Sequence, residues 1–196
     1  MKKIWLIRHG ESRAQTGEDE DWVNPALTER GQQQAMRLVE PLKTIEPDRI
    51  LVSPLARAWR TLELSEAKAP RVEFDSRLIE SDWGVPHCYQ RVLPMVTPAI
   101  AALDNNNAWD HPVDDRAAAI VAEIINGPDD KTVLFGHWGV FNSIFRAFVG
   151  FRPGLRPIWL NVDNAAISLL EVDDDGNRIV QYWNNRAHMQ DLPLTA

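Results

Sequence analysis

Short apolar runs alternate along the chain with stretches in which apolar residues recur every three or four positions. The first three runs, Lys3–Ile7, Arg49–Val52 and Thr132–Phe135, are almost continuously apolar. This pattern is typical of strands that are covered by helices on both faces. A further pair, Ala166–Val172 and Arg178–Trp183, flanks an Asp-Asp-Asp-Gly run, which predicts a hairpin turn between two strands.

The stretches between these strands predict helices. Thr28 is a suitable N-cap for a first helix, and Ser53 followed by Pro54 predicts the start of a second. Helical spacing is shown by three apolar stripes: Ala35, Leu38, Val39 and Leu42; Ala117, Ile120, Val121, Ile124 and Ile125; and Val140, Phe141, Ile144, Phe145 and Phe148. The alternation of strands and helices predicts an α/β fold, a three-layer α/β/α sandwich with a mostly parallel central sheet.

The length of 196 residues predicts a single domain over residues 1–196. Its middle section is interrupted by prolines, and we expect a small irregular cap inserted at about residues 83–112. The content of 44% hydrophobic and 25% charged residues is that of an ordinary globular protein.

Charge and cysteine usage narrow the possible partners and location. The net charge of -7 argues against nucleic acid and against an anionic membrane surface as partners. No window approaches the roughly 20 apolar residues of a membrane span. The single cysteine, Cys88, cannot form an internal disulfide, which favours a reducing compartment. We therefore expect a cytoplasmic protein, and its oligomeric state stays open.

Cationic and imidazole side chains follow each of the first three predicted strands. Arg8 and His9 follow the first, Arg57 lies in the first helical turn after the second, and His137 follows the third. Ligands of such sheets bind outside the carboxyl ends of the strands, where helix N-termini add backbone N–H groups. Two guanidinium groups bind phosphoryl oxygens well, and a neutral histidine can attack phosphorus. The pattern indicates a site that handles a phosphoryl group.

Ordered motifs over nearly the whole chain resemble one family. The motifs are RHGES, LTERGQQQA (Leu27–Ala35), SPLARAWRT (Ser53–Thr61), LIESDWG (Leu78–Gly84) and GHWG, with NAAISLLE (Asn164–Glu171) and NNRAHM (Asn184–Met189) as further echoes. Together they are similar to the histidine phosphatase superfamily, on its phosphoglycerate-mutase-like branch. RHG alone would be a weak signal, but the ordered set is specific.

The resemblance implies a role for each matching residue. His9 would be the nucleophile that becomes phosphohistidine, and Glu80 the general acid that then acts as base for the hydrolytic water. Arg8, Arg57 and His137 would bind the substrate phosphate. Two further phosphate contacts are implied, the backbone N–H of Trp138 and the side-chain amide of Gln15. The resemblance implies no metal and no other cofactor.

Three departures from the family pattern lie near the implied site. Trp138 stands in place of the usual small residue, and Asn142 stands where arginine is frequent. The usual Gly-x-Trp-Glu-Gly run near Glu80 is missing. The Trp138 indole either narrows the pocket, stacks on an aromatic leaving group, or points into the core. Because of these departures around the pocket, the substrate of this chain cannot be assigned from the substrates of the mutases.

The sequence favours a metal-independent phosphomonoesterase that acts through phosphohistidine on a small phosphorylated substrate. Two alternatives stay open. One is phosphoryl transfer of the phosphoglycerate-mutase type, and the other is a non-catalytic, regulatory phosphate-binding module. The identity of the leaving group and the balance between phosphatase and mutase activity do not follow from the sequence.

Overall fold

The computed structural model of the chain describes residues 1–19, 24–80, 112–151, 158–192 and 195. The predicted cap at about residues 83–112 falls almost entirely outside the described residues, and so does Cys88. Within the described part, no helix is long and apolar enough to cross a membrane.

Six strands of the described residues form one mixed sheet in the order β3-β2-β4-β1-β5-β6. They are β1 Lys2–Arg8, β2 Arg49–Val52, β3 Arg71–Phe74, β4 Lys131–Gly136, β5 Ile167–Val172 and β6 Arg178–Asn185. Strands β1 to β4 are parallel to one another, whereas β5 runs antiparallel to β1 and β6 antiparallel to β5. The predicted mostly parallel central sheet is confirmed, with an antiparallel pair at one edge.

Helices cover both faces of this sheet. They are α1 Arg13–Thr16, α2 Glu29–Met36, α3 Val39–Leu42, α4 Ala56–Leu64, α5 Val113–Asn126 and α6 Trp138–Phe148, with short 3-10 helices at Ser76–Leu78 and Ala187–Met189. Because successive side chains of a strand point to opposite faces, β1 contributes to two separate cores. Ile4 and Leu6 pack with α5 and α6. Trp5 and Ile7 pack with residues of α4 and of the 38–42 segment. The three-layer sandwich is confirmed.

The first predicted helix is interrupted. Thr28 caps it as expected, since its Oγ1 accepts a hydrogen bond from the Gly31 N–H at 2.9 Å. The helix then stops at Met36, and α3 starts at Val39. Pro41 accounts for the break, because its ring lacks an N–H and clashes with the carbonyl four residues earlier, at Arg37.

Two further differences lie at the β2 side of the sheet. The start of α4 at Ser53–Pro54 is wrong, because the helix begins at Ala56 with Leu55 as its cap. Strand β3 was not predicted. It is only four residues long, lies at the sheet edge and exposes Arg71 and Val72, so the continuous apolar signal of a buried strand is missing.

The predicted hairpin turn is confirmed between β5 and β6. Asp173 Oδ1 accepts hydrogen bonds from the N–H groups of Asp175 and Asn177, at 3.0 and 2.8 Å. Gly176 has φ +83°, a left-handed conformation that favours glycine at this turn.

Candidate active site

The carboxyl ends of three neighbouring parallel strands, β2, β4 and β1, bring the predicted cationic residues together. Arg8 is the last residue of β1, with His9 next to it, and His137 directly follows β4. Arg57 lies in the first turn of α4, which follows β2. The ring centroids of His9 and His137 are 5.0 Å apart, and all four side chains are buried. The spatial cluster expected from the strand ends is therefore present.

The partners of the His9 imidazole define its neutral form. Its Nδ1 lies 2.6 Å from the Gly10 carbonyl oxygen, which can only accept, so Nδ1 carries the hydrogen. The lone pair is then on Nε2, which accepts a hydrogen bond from Arg57 Nε at 3.2 Å. Burial, and then the charges of Arg57 and Arg8, lower the pKa of His9 well below its ordinary value. At neutral pH, His9 thus presents an unprotonated Nε2 beside a guanidinium.

The backbone of His9 is fixed from several sides. Its N–H donates to the Gly136 carbonyl at 3.0 Å. Its carbonyl accepts from Asn164 Nδ2 at 3.0 Å and from the Ala165 N–H at 3.2 Å. Ala165 adopts φ +54°, which is uncommon for a residue with a Cβ and aims its N–H at this carbonyl. These bonds hold the nucleophile candidate in one orientation relative to β4.

Two glycines explain why the RHG and TERG motifs occur together. A Cβ on Gly10 would lie 2.2 Å from the Gly31 carbonyl oxygen, and one on Gly31 would lie 2.0 Å from the Glu11 carbonyl oxygen. Neither position accommodates a side chain. The Glu11 carboxylate is buried beside this contact and accepts a hydrogen bond from Thr28 Oγ1 at 2.8 Å. The start of α2 therefore packs backbone to backbone against the loop that follows His9.

Two polar atoms of the cluster are buried and have no hydrogen-bond partner among the described residues, Arg8 Nε and His137 Nδ1. The other sides of these groups are fixed: Arg8 donates to the Val162 carbonyl at 2.5 Å, and His137 Nε2 lies 2.8 Å from Ser53 Oγ. Unsatisfied buried polar atoms are rare in proteins and call for an explanation, such as a ligand. The pKa of His137 is lowered well below its ordinary value, by burial and then by nearby Arg57.

Glu80 is bound at the N-terminus of α6, the helix that begins directly after His137. Its Oε1 accepts hydrogen bonds from the backbone N–H groups of Gly139 and Val140, at 2.9 and 3.2 Å. A helix N-terminus binds a carboxylate through these N–H groups and through its dipole. Burial lowers the pKa of Arg8, and the negative charge of Glu80 opposes that shift. Glu80 thus lies within electrostatic reach of Arg8, and its carboxylate is held beside the His137 strand end.

Gln15 is linked to His9 through the side chain of Asn164. Its side-chain amide exchanges hydrogen bonds with the amide of Asn164, each at 3.2 Å, and its Oε1 accepts from the Ser12 N–H at 2.9 Å. Because Asn164 in turn bonds the His9 carbonyl, Gln15 is linked to the nucleophile candidate through one intermediate residue.

Comparison with known proteins assigns the fold and the motifs to a family. Residues 4–185 match the family model described as the histidine phosphatase superfamily (branch 1). The chain belongs to this superfamily. The resemblance seen in the ordered motifs is thereby confirmed.

Individual relatives match over shorter stretches. Phosphoserine phosphatase 1 of Hydrogenobacter thermophilus is 40% identical over 87 residues, which cover 43% of this chain and 41% of that protein. A probable phosphoglycerate mutase GpmB of Salmonella paratyphi C is 36% identical over 87 residues, covering 43% of this chain and 40% of that protein. Each match therefore spans less than half of the relative's length.

Among solved structures, a phosphoserine phosphatase of Entamoeba histolytica in complex with 3-phosphoglyceric acid superposes with a TM-score of 0.70. The alignment covers 96% of this chain and all of that one, at 19% sequence identity. This likeness shows that the two chains share one fold.

Trp138, the first departure from the superfamily pattern, has defined partners. Its indole Nε1 donates to the Leu160 carbonyl at 3.0 Å, and its ring stacks on Trp159 with centroids 4.8 Å apart and planes 14° from parallel. One face of the indole is therefore covered by Trp159, and the Trp138 side chain packs against the core to which α5 and α6 contribute.

Asn142, the second departure, fastens the same segment. Its Nδ2 donates to the carbonyls of Trp138 and Leu160, at 2.9 and 3.1 Å, and its Oδ1 accepts from the Leu160 N–H at 2.6 Å. Two residues further on, the Val162 carbonyl binds Arg8. At this position the chain therefore has an amide that positions the backbone next to Arg8.

Four residues with contacts in or next to the cluster were not among the predicted site residues: Ser53, Arg116, Asn142 and Asn164. Ser53 and Asn164 lie inside motifs, so their positions were visible although their roles were not. Nothing in the sequence indicates a contact of Arg116 with the site. It stands next to Ala117 at the start of an apolar stripe that predicts a helix and no function. In the described part of the chain, no group of three His, Cys, Asp or Glu residues is arranged to hold a metal ion.

Proposed function

We propose that this protein is a metal-independent phosphomonoesterase that hydrolyses a small phosphorylated substrate through phosphohistidine at His9. One observation carries the proposal: a buried, neutral imidazole presents Nε2 at the meeting point of three strand ends that also supply Arg8, Arg57 and His137. The family membership agrees with this chemistry.

In the first step, the Nε2 lone pair of His9 attacks phosphorus and the ester P–O bond breaks. The phosphoryl oxygens replace His9 as the partner of Arg57 and take hydrogen bonds from the unsatisfied nitrogens of Arg8 and His137. Such charge-assisted bonds stabilise the charge that is spread over these oxygens in the transition state. The lowered pKa of His9 keeps its lone pair available at neutral pH.

Proton transfer falls to Glu80. Glu80 enters the first step protonated and gives its proton to the leaving oxygen, which would otherwise depart as an alkoxide. In the second step the same carboxylate takes a proton from water, the water oxygen attacks phosphorus, and the N–P bond breaks. Neutral His9 and inorganic phosphate result. A positioned acid of this kind contributes about 10²–10⁴-fold to the rate.

The remaining predicted contacts belong to the same proposal. Gln15 and the Trp138 backbone N–H complete the phosphate site. Arg8 and Arg57 supply the positive charge that Mg²⁺ supplies in phosphoryl-transfer enzymes of other classes, so that no metal is needed. We place the reaction in the cytoplasm, because a single cysteine fits a reducing compartment. The net charge of -7 disfavours nucleic acid as a substrate.

Phosphoryl transfer of the mutase type is the second candidate, supported by the 36% identical probable phosphoglycerate mutase over 87 residues. In a mutase, the phosphoryl group of His9 returns to the same substrate instead of passing to water. Interconversion of phosphoglycerates stimulated by a bisphosphate primer would support this candidate. Net phosphate release without interconversion would exclude it.

The proposal is tested by measuring phosphate release from a broad panel of phosphorylated metabolites with a metal chelator present. We expect turnover that the chelator does not change, and a loss of at least about 10³-fold in His9→Ala. Lys43→Ala is the control, because Lys43 is exposed, pairs with Glu40 at 2.5 Å and lies outside the cluster of Arg8, His9, Arg57 and His137. A His9→Ala variant as active as the parent protein would overturn the proposal.

A further inference from the structure

A buried arginine on α5 binds the backbone that leads into Glu80. Arg116 is 2% exposed, and its NH1 group donates to the carbonyl oxygens of Arg77 and Ile79, at 3.1 and 2.9 Å. Ile79 immediately precedes Glu80. A charged donor that serves two carbonyls away from water restrains a backbone more strongly than an exposed contact does.

The preceding residues are restrained as well. Asp75 Oδ1 accepts from the Arg77 N–H at 2.9 Å, and Arg77 forms an ion pair at 2.7 Å with Glu123, which also lies on α5. The Arg77–Glu123 pair is partly exposed and is therefore weakened by solvent and salt. The Arg116 bonds are the buried part of the connection between α5 and the 75–80 segment.

The two ends of Glu80 are thus held by different helices. Arg116 of α5 fixes the backbone before it, and the first turn of α6 binds its carboxylate through the N–H groups of Gly139 and Val140. Helices α5 and α6 share one hydrophobic core. This packed pair of helices sets the distance between the Glu80 backbone and the strand end that carries His137.

From this geometry we propose that Arg116 is a positioning residue for proton transfer by Glu80. The inference rests on the proposed function, in which Glu80 protonates the leaving oxygen. An acid transfers its proton only within hydrogen-bond reach of that oxygen, and a displacement of about 1 Å can cost on the order of 10²-fold in rate. By holding the Ile79 carbonyl, Arg116 keeps the carboxylate within this reach.

A positioning role differs from a purely structural one in its dependence on the leaving group. Phenyl phosphate has a basic leaving oxygen that benefits from a proton, whereas the dinitrophenolate of 2,4-dinitrophenyl phosphate departs without one. Loss of correctly folded enzyme lowers turnover of both esters equally. Misplacement of the acid lowers turnover of phenyl phosphate selectively.

The experiment measures kcat/KM for both esters in the parent, Arg116→Gln, Arg116→Lys and Glu80→Gln proteins. For Arg116→Gln, we expect a loss of about 10–100-fold on phenyl phosphate and less than about threefold on 2,4-dinitrophenyl phosphate. Arg116→Lys, which keeps a charged donor, should recover part of the loss. The ratio of the two kcat/KM values does not depend on the folded fraction, so a destabilised variant still gives an answer.

Arg49→Gln is the matched control. Arg49 also pairs with Glu123, at 2.7 Å, but it lies at the amino end of β2, away from the strand ends that carry the site. Its substitution should leave the ratio between the esters unchanged.

The outcomes separate the two proposals. If Glu80→Gln shifts the ratio and Arg116→Gln lowers both esters equally, the positioning role is wrong and the proposed function stands. If Glu80→Gln leaves the ratio unchanged, proton transfer by Glu80 is wrong and the positioning role of Arg116 falls with it, whereas hydrolysis through His9 is decided separately by His9→Ala.

Discussion

The two sides of the candidate site are built in different ways. We call the residues proposed to bind the phosphoryl group, Arg8, His9, Arg57 and His137, the phosphate side; they lie at or just beyond the ends of adjacent strands. The acid side is Glu80, the proposed proton donor. The carbonyl of the preceding residue, Ile79, is bound by Arg116, which lies 37 residues after Ile79. The Glu80 carboxylate is bound by the N–H of Gly139, which lies 59 residues after Glu80. One side is set by the sheet, and the other by the packing of α5 and α6.

This difference bears on substrate recognition. A phosphoryl group is the same in every monoester, so a rigid site at the strand ends serves any of them. The leaving group differs between substrates, and the acid must reach its oxygen. We therefore expect the two sides to respond differently to substitution: changes on the phosphate side affect all esters alike, and changes on the acid side affect esters with basic leaving groups.

The largest effect in this comparison is expected for Arg57→Met. Removal of the guanidinium should lower kcat/KM by about 10²–10³-fold for both phenyl and 2,4-dinitrophenyl phosphate, because it takes away a charged partner of the transition state. The charge of Arg57 also lowers the pKa of His9. Without it that pKa rises, so the loss of activity on acidification should begin at a higher pH than in the parent.

The pH dependence of kcat/KM measures this shift. Arg60→Met is the control, because Arg60 lies on the same helix but is exposed and pairs with Glu63 at 2.9 Å. An acid limb that stays in place, or moves to lower pH, in Arg57→Met would contradict the assigned interaction between Arg57 and His9.

A smaller effect is expected for Gly31→Ala. The new methyl group would lie 2.0 Å from the Glu11 carbonyl oxygen, so α2 and the loop after His9 must move apart. We expect a loss of about 1–3 kcal/mol in the free energy of unfolding, measured by denaturant titration. Turnover of the two esters should fall by the same factor, unlike in Arg116→Gln.

Gln33→Ala on the exposed face of α2 is the control, and it should change stability by less than about 0.5 kcal/mol. Unchanged stability in Gly31→Ala would show that the close approach of the two backbones is not required. A selective loss on phenyl phosphate would show that the phosphate and acid sides are not separable.

The phosphate side could be predicted from the sequence for a physical reason. Parallel strands place their carboxyl ends at one edge, so residues that follow different strands meet there without any knowledge of packing. His9 and His137 follow directly from this rule. The motif around Gly31 is visible in the sequence, but its cause, the backbone contact with the loop after His9, depends on how two separate segments of the chain pack.

The acid side could not be predicted to the same depth. Glu80 was found only through its motif, and Arg116 was not found at all. A buried arginine is uncommon. Arg116 is stabilised in its buried position by hydrogen bonds to two carbonyl oxygens, those of Arg77 and Ile79, the second of which lies 37 residues earlier in the chain. Strand β3, which leads into that segment, was missed as well because its exposed edge position removes the apolar signal.

The central claim is that the phosphoryl group passes through His9, and rapid-quench labelling tests it most directly. The Glu80→Gln protein is mixed with 2,4-dinitrophenyl phosphate carrying ³²P. The leaving group of this ester needs no proton, so the phosphoenzyme can still form. Its hydrolysis is slowed, because Glu80 no longer takes a proton from water. We expect an acid-labile, alkali-stable label on His9 Nε2 that forms before phosphate is released, and no label in His9→Ala. Phosphate release with no label on the protein, or with the label on another residue, would contradict it.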